Sequence, residues 1–137
     1  MRLTTRFIAA SLLGGALAAP LAHAHHSFAV HFEPEASKEV KGVVDDFRFT
    51  NPHGMLNFTV TEADGTKTQW RAETNSPNIL RRRGWSKDVL KPGDEITILG
   101  FPARDGTSYM RISKITFADG RELVGQGAAP PAQGESD

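Results

Sequence analysis

From Lys38 to Val124 apolar residues recur at every second position in short runs, each broken by glycine, proline or aspartate. A period of two is the signature of strands with one buried face. Val43, Phe47 and Phe49 share one parity and predict a first strand, with Gly42 as a bend or bulge where two backbones approach. Leu56, Phe58 and Val60 alternate cleanly in a second, which ends at Asp64-Gly65, a hairpin turn that needs positive φ. Trp70 and Ala72 share the inward parity of a third. Asn75-Ser76-Pro77 then stops the strand and opens a short helix, with Ser76 as N-cap, Pro77 at the first helical position and Gly84 to close it.

A further turn over Ser86 to Leu90 leads to Lys91-Pro92-Gly93-Asp94, another chain reversal. Ile96 to Phe101 is apolar on nearly both faces, as expected of a strand inside a closed sheet. After Asp105-Gly106, Met110 and Ile112 have one parity while Ile115 and Phe117 have the other, so a bulge is expected near Ser113-Lys114. Asp119-Gly120 turns into a short segment around Leu123. Three strands, a short helix and two strands predict an all-β fold, a small five-stranded OB-like barrel with the helix between strands 3 and 4. A small antiparallel sandwich fits the same alternation, and pairing between the first and fourth strands decides between them.

Upstream the pattern changes. Arg2 and Arg6 precede an apolar run from Phe7 to Ala19, followed by Ala22-His23-Ala24, the form of a signal peptide over residues 1–24 with cleavage after Ala24. The run is shorter than the roughly 20 apolar residues of a membrane span and is interrupted by Gly14 and Gly15. The expected organisation is therefore a leader, a His-rich arm over residues 25–37, a barrel over 38–124 and a Gly/Ala/Pro tail over 125–137. The expected location is the periplasm, with no membrane span after cleavage.

Composition then limits the chemistry. With 137 residues, 39% of them hydrophobic, and no cysteine, the chain is neither a collagenous or coiled-coil sequence nor a disulfide scaffold. Loss of Arg2 and Arg6 with the leader leaves fourteen basic against sixteen acidic residues, a net charge of −2, which argues against nucleic acid as a partner despite the OB-type fold. Arg81-Arg82-Arg83 reads as cations at a helix C-terminus, and Asp45-Asp46 cannot converge on one atom from successive strand positions. No nucleophile elbow, phosphate-binding glycine loop or H-E-x-x-H is present, which disfavours a hydrolase of known type.

Several short motifs together resemble a family of small secreted bacterial proteins of unknown function. They are His25-His26-Ser27-Phe28, Phe49-Thr50-Asn51-Pro52-His53, Trp70 with Glu73, Leu80 with Gly84-Trp85, Pro92-Gly93-Asp94 and Asp119-Gly120-Arg121. Phe49 stands where many relatives carry Trp. The resemblance implies a periplasmic barrel-like domain and brings no activity with it.

The candidate chemistry lies in the histidines. Cleavage after Ala24 gives His25 a free α-amine beside its imidazole, and the two can chelate one metal ion; an amine pKa of about 8 is low enough for Cu(II) to displace the proton at neutral pH. His53, on the rigid Asn51-Pro52-His53-Gly54 connection, is the first candidate for a third nitrogen ligand, and His31 the second. His26 can serve as a ligand or a hydrogen-bonding neighbour, and Glu33, Glu35 or Glu73 could orient an imidazole. Nitrogen donors without thiolate favour Cu(II), with Zn(II) or Ni(II) next. The expected function is periplasmic copper binding. The alternative is a metal-free barrel module that binds a protein or small ligand, in which Phe28 and Phe32 simply pin the arm and His53 caps a turn. Trp85 and Phe101 are candidate surface contacts for such a partner, although Trp85 can equally plug the barrel end.

Overall fold

In the computed structural model, which describes residues 28–126, the alternating runs form β1 (Lys38–Arg48), β2 (Met55–Thr61), β3 (Lys67–Glu73), β4 (Glu95–Pro102), β5 (Tyr109–Phe117) and β6 (Glu122–Val124). A short helix α1 (Pro77–Arg81) lies between β3 and β4. Ser76 takes the N-cap position with extended backbone and Pro77 opens the helix. The signal segment 1–24, His25, His26 and residues 127–137 lie outside the described residues.

The sheet order is β3-β2-β1-β4-β5-β6, and a parallel pairing of β3 with β5 closes the first five strands on themselves. β1 pairs with β4 from Lys38↔Gly100 to Val43↔Glu95, so the chain is an OB-type Greek-key barrel and not a sandwich. Closure leaves few free edges, which a short chain of alternating strands must otherwise protect. Leu56, Phe58, Ile98, Met110, Ile112 and Ile115 are fully buried inside, and α1 adds Leu80 at one end. Each such side chain contributes roughly 1.5–3 kcal/mol by leaving water.

The first strand departs from expectation. Val40 and Val44 point inward, and Val43, which the simple alternation placed inside, is 40% exposed. A bulge between Val44 and Asp46 against β2 supplies the extra residue that reverses parity and brings Phe47 back onto the core. Gly42 is thus not the bulge. It serves close approach, because a Cβ there would stand 2.7 Å from both Phe58 Cδ2 and the Thr59 carbonyl oxygen. The bulge expected in the fifth strand is present: pairing passes from Leu99↔Lys114 to Gly100↔Ile112 and leaves Ser113 over.

The Asp-Gly hairpins share one device. Asp64, Asp105 and Asp119 each accept a backbone N–H from the residue two positions on, at 2.8, 3.0 and 2.9 Å. Side-chain and backbone bonds from Thr66, Thr107 and Arg121 hold these exposed carboxyls below their usual range. At the far end Gly125 and Gln126, expected to begin a free tail, donate their N–H groups to Ser113 and Ile112 at 2.8 and 3.1 Å and so prolong the pairing of β6.

Candidate functional site

His53 sits on the connection from β1 to β2, whose backbone is tied to the end of β3: Thr74 N–H donates to the Gly54 carbonyl at 2.9 Å, and Thr74 Oγ1 to the same oxygen at 3.2 Å. The imidazole Nδ1 lies 3.1 Å from the Thr74 carbonyl oxygen and 3.5 Å from Glu73 Oε1. A carbonyl can only accept, so Nδ1 carries a proton, and in the neutral ring Nε2 is the nitrogen with the lone pair. With its side chain 44% exposed, His53 has the tautomer and anchoring of a ready nitrogen ligand.

Glu73 is itself held on the outer face where β3 meets β5. The register Arg71↔Tyr109 and Glu73↔Arg111 puts these four residues on that one face. Tyr109 Oη and Arg111 Nη1 both donate to the Glu73 carboxylate. Arg111, only 7% exposed, also donates to Asn75 Oδ1 at 2.5 Å and to Gln126 Oε1 at 2.9 Å. Burial pulls its guanidinium below the usual value against the opposing charge of Glu73. Burial, and next the hydrogen bond to Glu73, push the Tyr109 hydroxyl well above the ordinary tyrosine value.

The arm docks on the same face. Residues 28–31 form one helical turn, after which Phe32 bridges Ala103 and Glu33 N–H donates to Pro102 at 3.0 Å. The Phe28 ring meets Phe101 edge-on at 5.2 Å, and Phe32, itself buried, meets Tyr109 at 5.3 Å. Arg104 clips the turn from outside. Its Nε donates to Ala29 O at 2.6 Å, its backbone N–H to His31 O at 3.0 Å and its Nη1 to Glu33 Oε1 at 2.9 Å. Phe28 and Phe32 therefore pin the arm, and one tyrosine carries the arm on its ring and Glu73 on its hydroxyl.

Of the expected ligands, the structure brings His53 and Glu73 together and leaves His31 exposed on the docked turn. Glu33 pairs with Arg104 and not with an imidazole, because the arm's helical turn brings it beside that guanidinium. Among the described residues no three His, Asp or Glu side chains form a ready-made metal group, and His25 and His26 lie outside those residues. Neither candidate surface contact is offered to a partner. Trp85 is 2% exposed, stacks near Phe47 and donates Nε1–H to Val124 O at 2.9 Å, closing the barrel end, while Phe101 is covered by Phe28. Arg81 lies in the last turn of α1 with its guanidinium over Phe49, and Asp45 and Asp46 accept separately from Thr59 and Asn57.

Tyr109, Arg111, Asn75, Gln126 and Arg104 were not anticipated from sequence. Outward parity between the buried Met110 and Ile112 marks Arg111 as a surface residue; only the non-local β3–β5 pairing turns it into a buried one.

The fold and site together define a small OB-type barrel strapped by an N-terminal arm, with an anchored histidine backed by a part-buried Arg–Glu–Tyr cluster. The chain belongs to the Family of unknown function (DUF6152), whose model matches residues 14–111. That span contains His25, His53, Glu73, Tyr109 and Arg111, whereas Asp119-Gly120-Arg121 lies beyond it. A search of the curated proteins gives no match. Among solved structures, the mitochondrial single-stranded DNA binding protein Rim1 from S. cerevisiae superposes with a TM-score of 0.48 and 8% identity over 63% of this chain and 96% of its own. No helix among the described residues is long and apolar enough to cross a membrane.

Proposed function

We propose that this protein is exported to the periplasm, is cleaved after Ala24, and binds copper through the α-amine and imidazole of His25 together with Nε2 of His53. The observation that carries the reading is the fixed His53 tautomer: a proton held on Nδ1 by the Thr74 carbonyl, with Glu73 behind it, leaves Nε2 as the free donor. Docking of the arm on the face that bears Glu73 is the second support. Amine and imidazole nitrogens without thiolate suit Cu(II) before Zn(II) or Ni(II). His31 and His26 are the alternative donors. The reading is one of binding, with nucleic acid not expected as the ligand, no membrane span left after cleavage, and a periplasmic protein as the expected partner.

The test is a competitive Cu(II) titration with electron paramagnetic resonance on protein processed to His25, beside a form extended by one alanine. Tight binding with a nitrogen-rich spectrum is expected. It is lost in the extended form and weakened at least about tenfold by His53→Ala. Weak binding indifferent to both changes would refute the reading and favour a metal-free barrel that contacts a protein or small ligand.

A further inference from the structure

One strand edge of the barrel is closed by side chains and another is open. At β6, Val124 O accepts Trp85 Nε1–H at 2.9 Å and Gly125 O accepts Asn75 Nδ2–H at 3.0 Å, which caps that edge. The first half of β1 has β4 on one side only. Val44 N–H donates to Asp94 O and Val44 O accepts from Gly93 N–H, both at 2.9 Å, so its backbone groups turn toward the β4 side. Backbone direction alternates along a strand, so Val40 and Gly42 turn toward β4 as well, while Glu39 and Lys41 turn away from it. Pairing with β2 begins only at Val43↔Thr59. There a groove opens, lined by Lys41, Val43, Thr59 and Thr61, and among the described residues the N–H and C=O groups of Glu39 and Lys41 meet no strand.

We infer that this edge pairs with the same edge of a second copy of the chain, β1 against β1 in antiparallel sense about a two-fold axis at Val40. Such a contact must be complementary to itself, and the edge Lys38-Glu39-Val40-Lys41-Gly42 is so in one register. Backbone bonds form only between residues that both turn outward. Setting Glu39 opposite Glu39, or Lys41 opposite Lys41, meets that condition but brings like charges together. Setting Glu39 opposite Lys41 meets it with two ion pairs on the outer face, one on each side of the axis. Both side chains are exposed, and among the described residues neither makes an ion pair. A lysine on a free edge ordinarily repels other strands, but the glutamate two residues before it exempts the chain's own copy. The charges therefore choose the register as well as the partner, where hydrogen bonding alone would let two strands slip. So short an edge makes a small interface, of the class below about 1,200 Å² that forms weak, exchanging complexes. The pairing calls on neither the histidines nor a metal.

The experiment is sedimentation equilibrium of the mature protein over a range of concentrations, beside Glu39→Lys, Lys41→Glu and the double reversal. Both positions are exposed on the outer face, so the barrel folds in each variant, which circular dichroism checks. A concentration-dependent dimer is expected. Either single reversal opposes like charges twice and should weaken it at least about tenfold, whereas the double reversal recreates both pairs and should return within about threefold of the parent. Added salt should weaken the parent and the double variant alike. Hydrogen exchange reads the edge with no substitution at all. As concentration rises the Glu39 and Lys41 amides should slow, while those of Val40 and Gly42, which face Ile98 and Ile96 of β4, should not change. A dimer indifferent to the single reversals, or one that the double reversal does not recover, overturns the inference. Dimerisation that leaves exchange at Glu39 and Lys41 unchanged overturns it as well. A monomer at every concentration overturns it too, and leaves the edge to an extended segment of another protein.

Discussion

Replacing Arg111 by methionine keeps an apolar stem of similar length in the wall of the barrel and removes the charge. The guanidinium is almost fully covered, while the Glu73 side chain is 16% exposed. After the change Glu73 keeps the Tyr109 hydroxyl, while Asn75 Oδ1 and Gln126 Oε1 lose their donor. Removing one partner of a buried pair costs about 3–5 kcal/mol where the remaining charge is fully sequestered. Because Glu73 retains one hydrogen bond and some water, the expected cost falls below that range, to about 2–3 kcal/mol. In a domain of this size that lowers the melting temperature by roughly 10–20 °C.

The signature of a charge pair, as against a packing residue, is non-additivity. Glu73→Leu alone strands the Arg111 charge and should cost a similar amount, whereas Glu73→Leu with Arg111→Met removes both charges and should return to within about 1–2 kcal/mol of the parent, the residue of lost bonds to Tyr109 and Asn75. Urea unfolding of the four proteins gives the coupling directly, provided the m-value is unchanged. A single-variant cost under about 0.5 kcal/mol, or single costs that simply add, would refute the account of Arg111 as the buried counter-ion of Glu73.

Tyr109 is the sole tyrosine, so its ionisation can be followed by ultraviolet absorbance without interference. Its folded value is raised, so the unfolded chain releases the phenolic proton first: the stabilisation is complete below about pH 10 and is lost as pH rises beyond it. Phenolate absorbance should stay absent near pH 10.5 until urea is added; a midpoint near 10 in the folded protein would contradict the hydrogen bond to Glu73. Gly42→Ala places a Cβ 2.7 Å from the Phe58 ring and the Thr59 carbonyl, and should cost about 1–3 kcal/mol in urea unfolding, with indifference showing that β1 and β2 are not so closely apposed. Trp85→Ala opens the barrel end and frees Val124 O, for an expected loss of about 3–5 kcal/mol; a change under 1 kcal/mol would mean that Trp85 is not buried.

The barrel was legible where period two and turn chemistry agree. The alternation of Leu56, Phe58 and Val60, the Asp-Gly reversals and Pro77 all act locally, and each element they define is present. The parity change between Ile112 and Ile115 located a bulge because both flanks are strongly apolar. In β1 the same logic failed, since Val43 is apolar yet faces outward and the bulge falls among polar residues, Asp45 and Asp46, that carry no parity signal.

The site was legible in part for a related reason. Histidine chemistry can be read from residue type and position, and His53 stands out on its proline-stiffened connection. The residues that anchor it cannot be read that way. Glu73 and Arg111 are 38 positions apart and meet only because a parallel pairing closes the barrel; Arg104 and Ala29 are 75 apart and meet only because the arm folds back. The arm's two readings, a structural strap and a metal-bearing terminus, looked exclusive in the sequence because each assigns different residues. Phe28 and Phe32 serve the first and His25 the second, and the seating of Phe28 on Phe101 and of Phe32 on Tyr109 realises the strap without calling on a histidine.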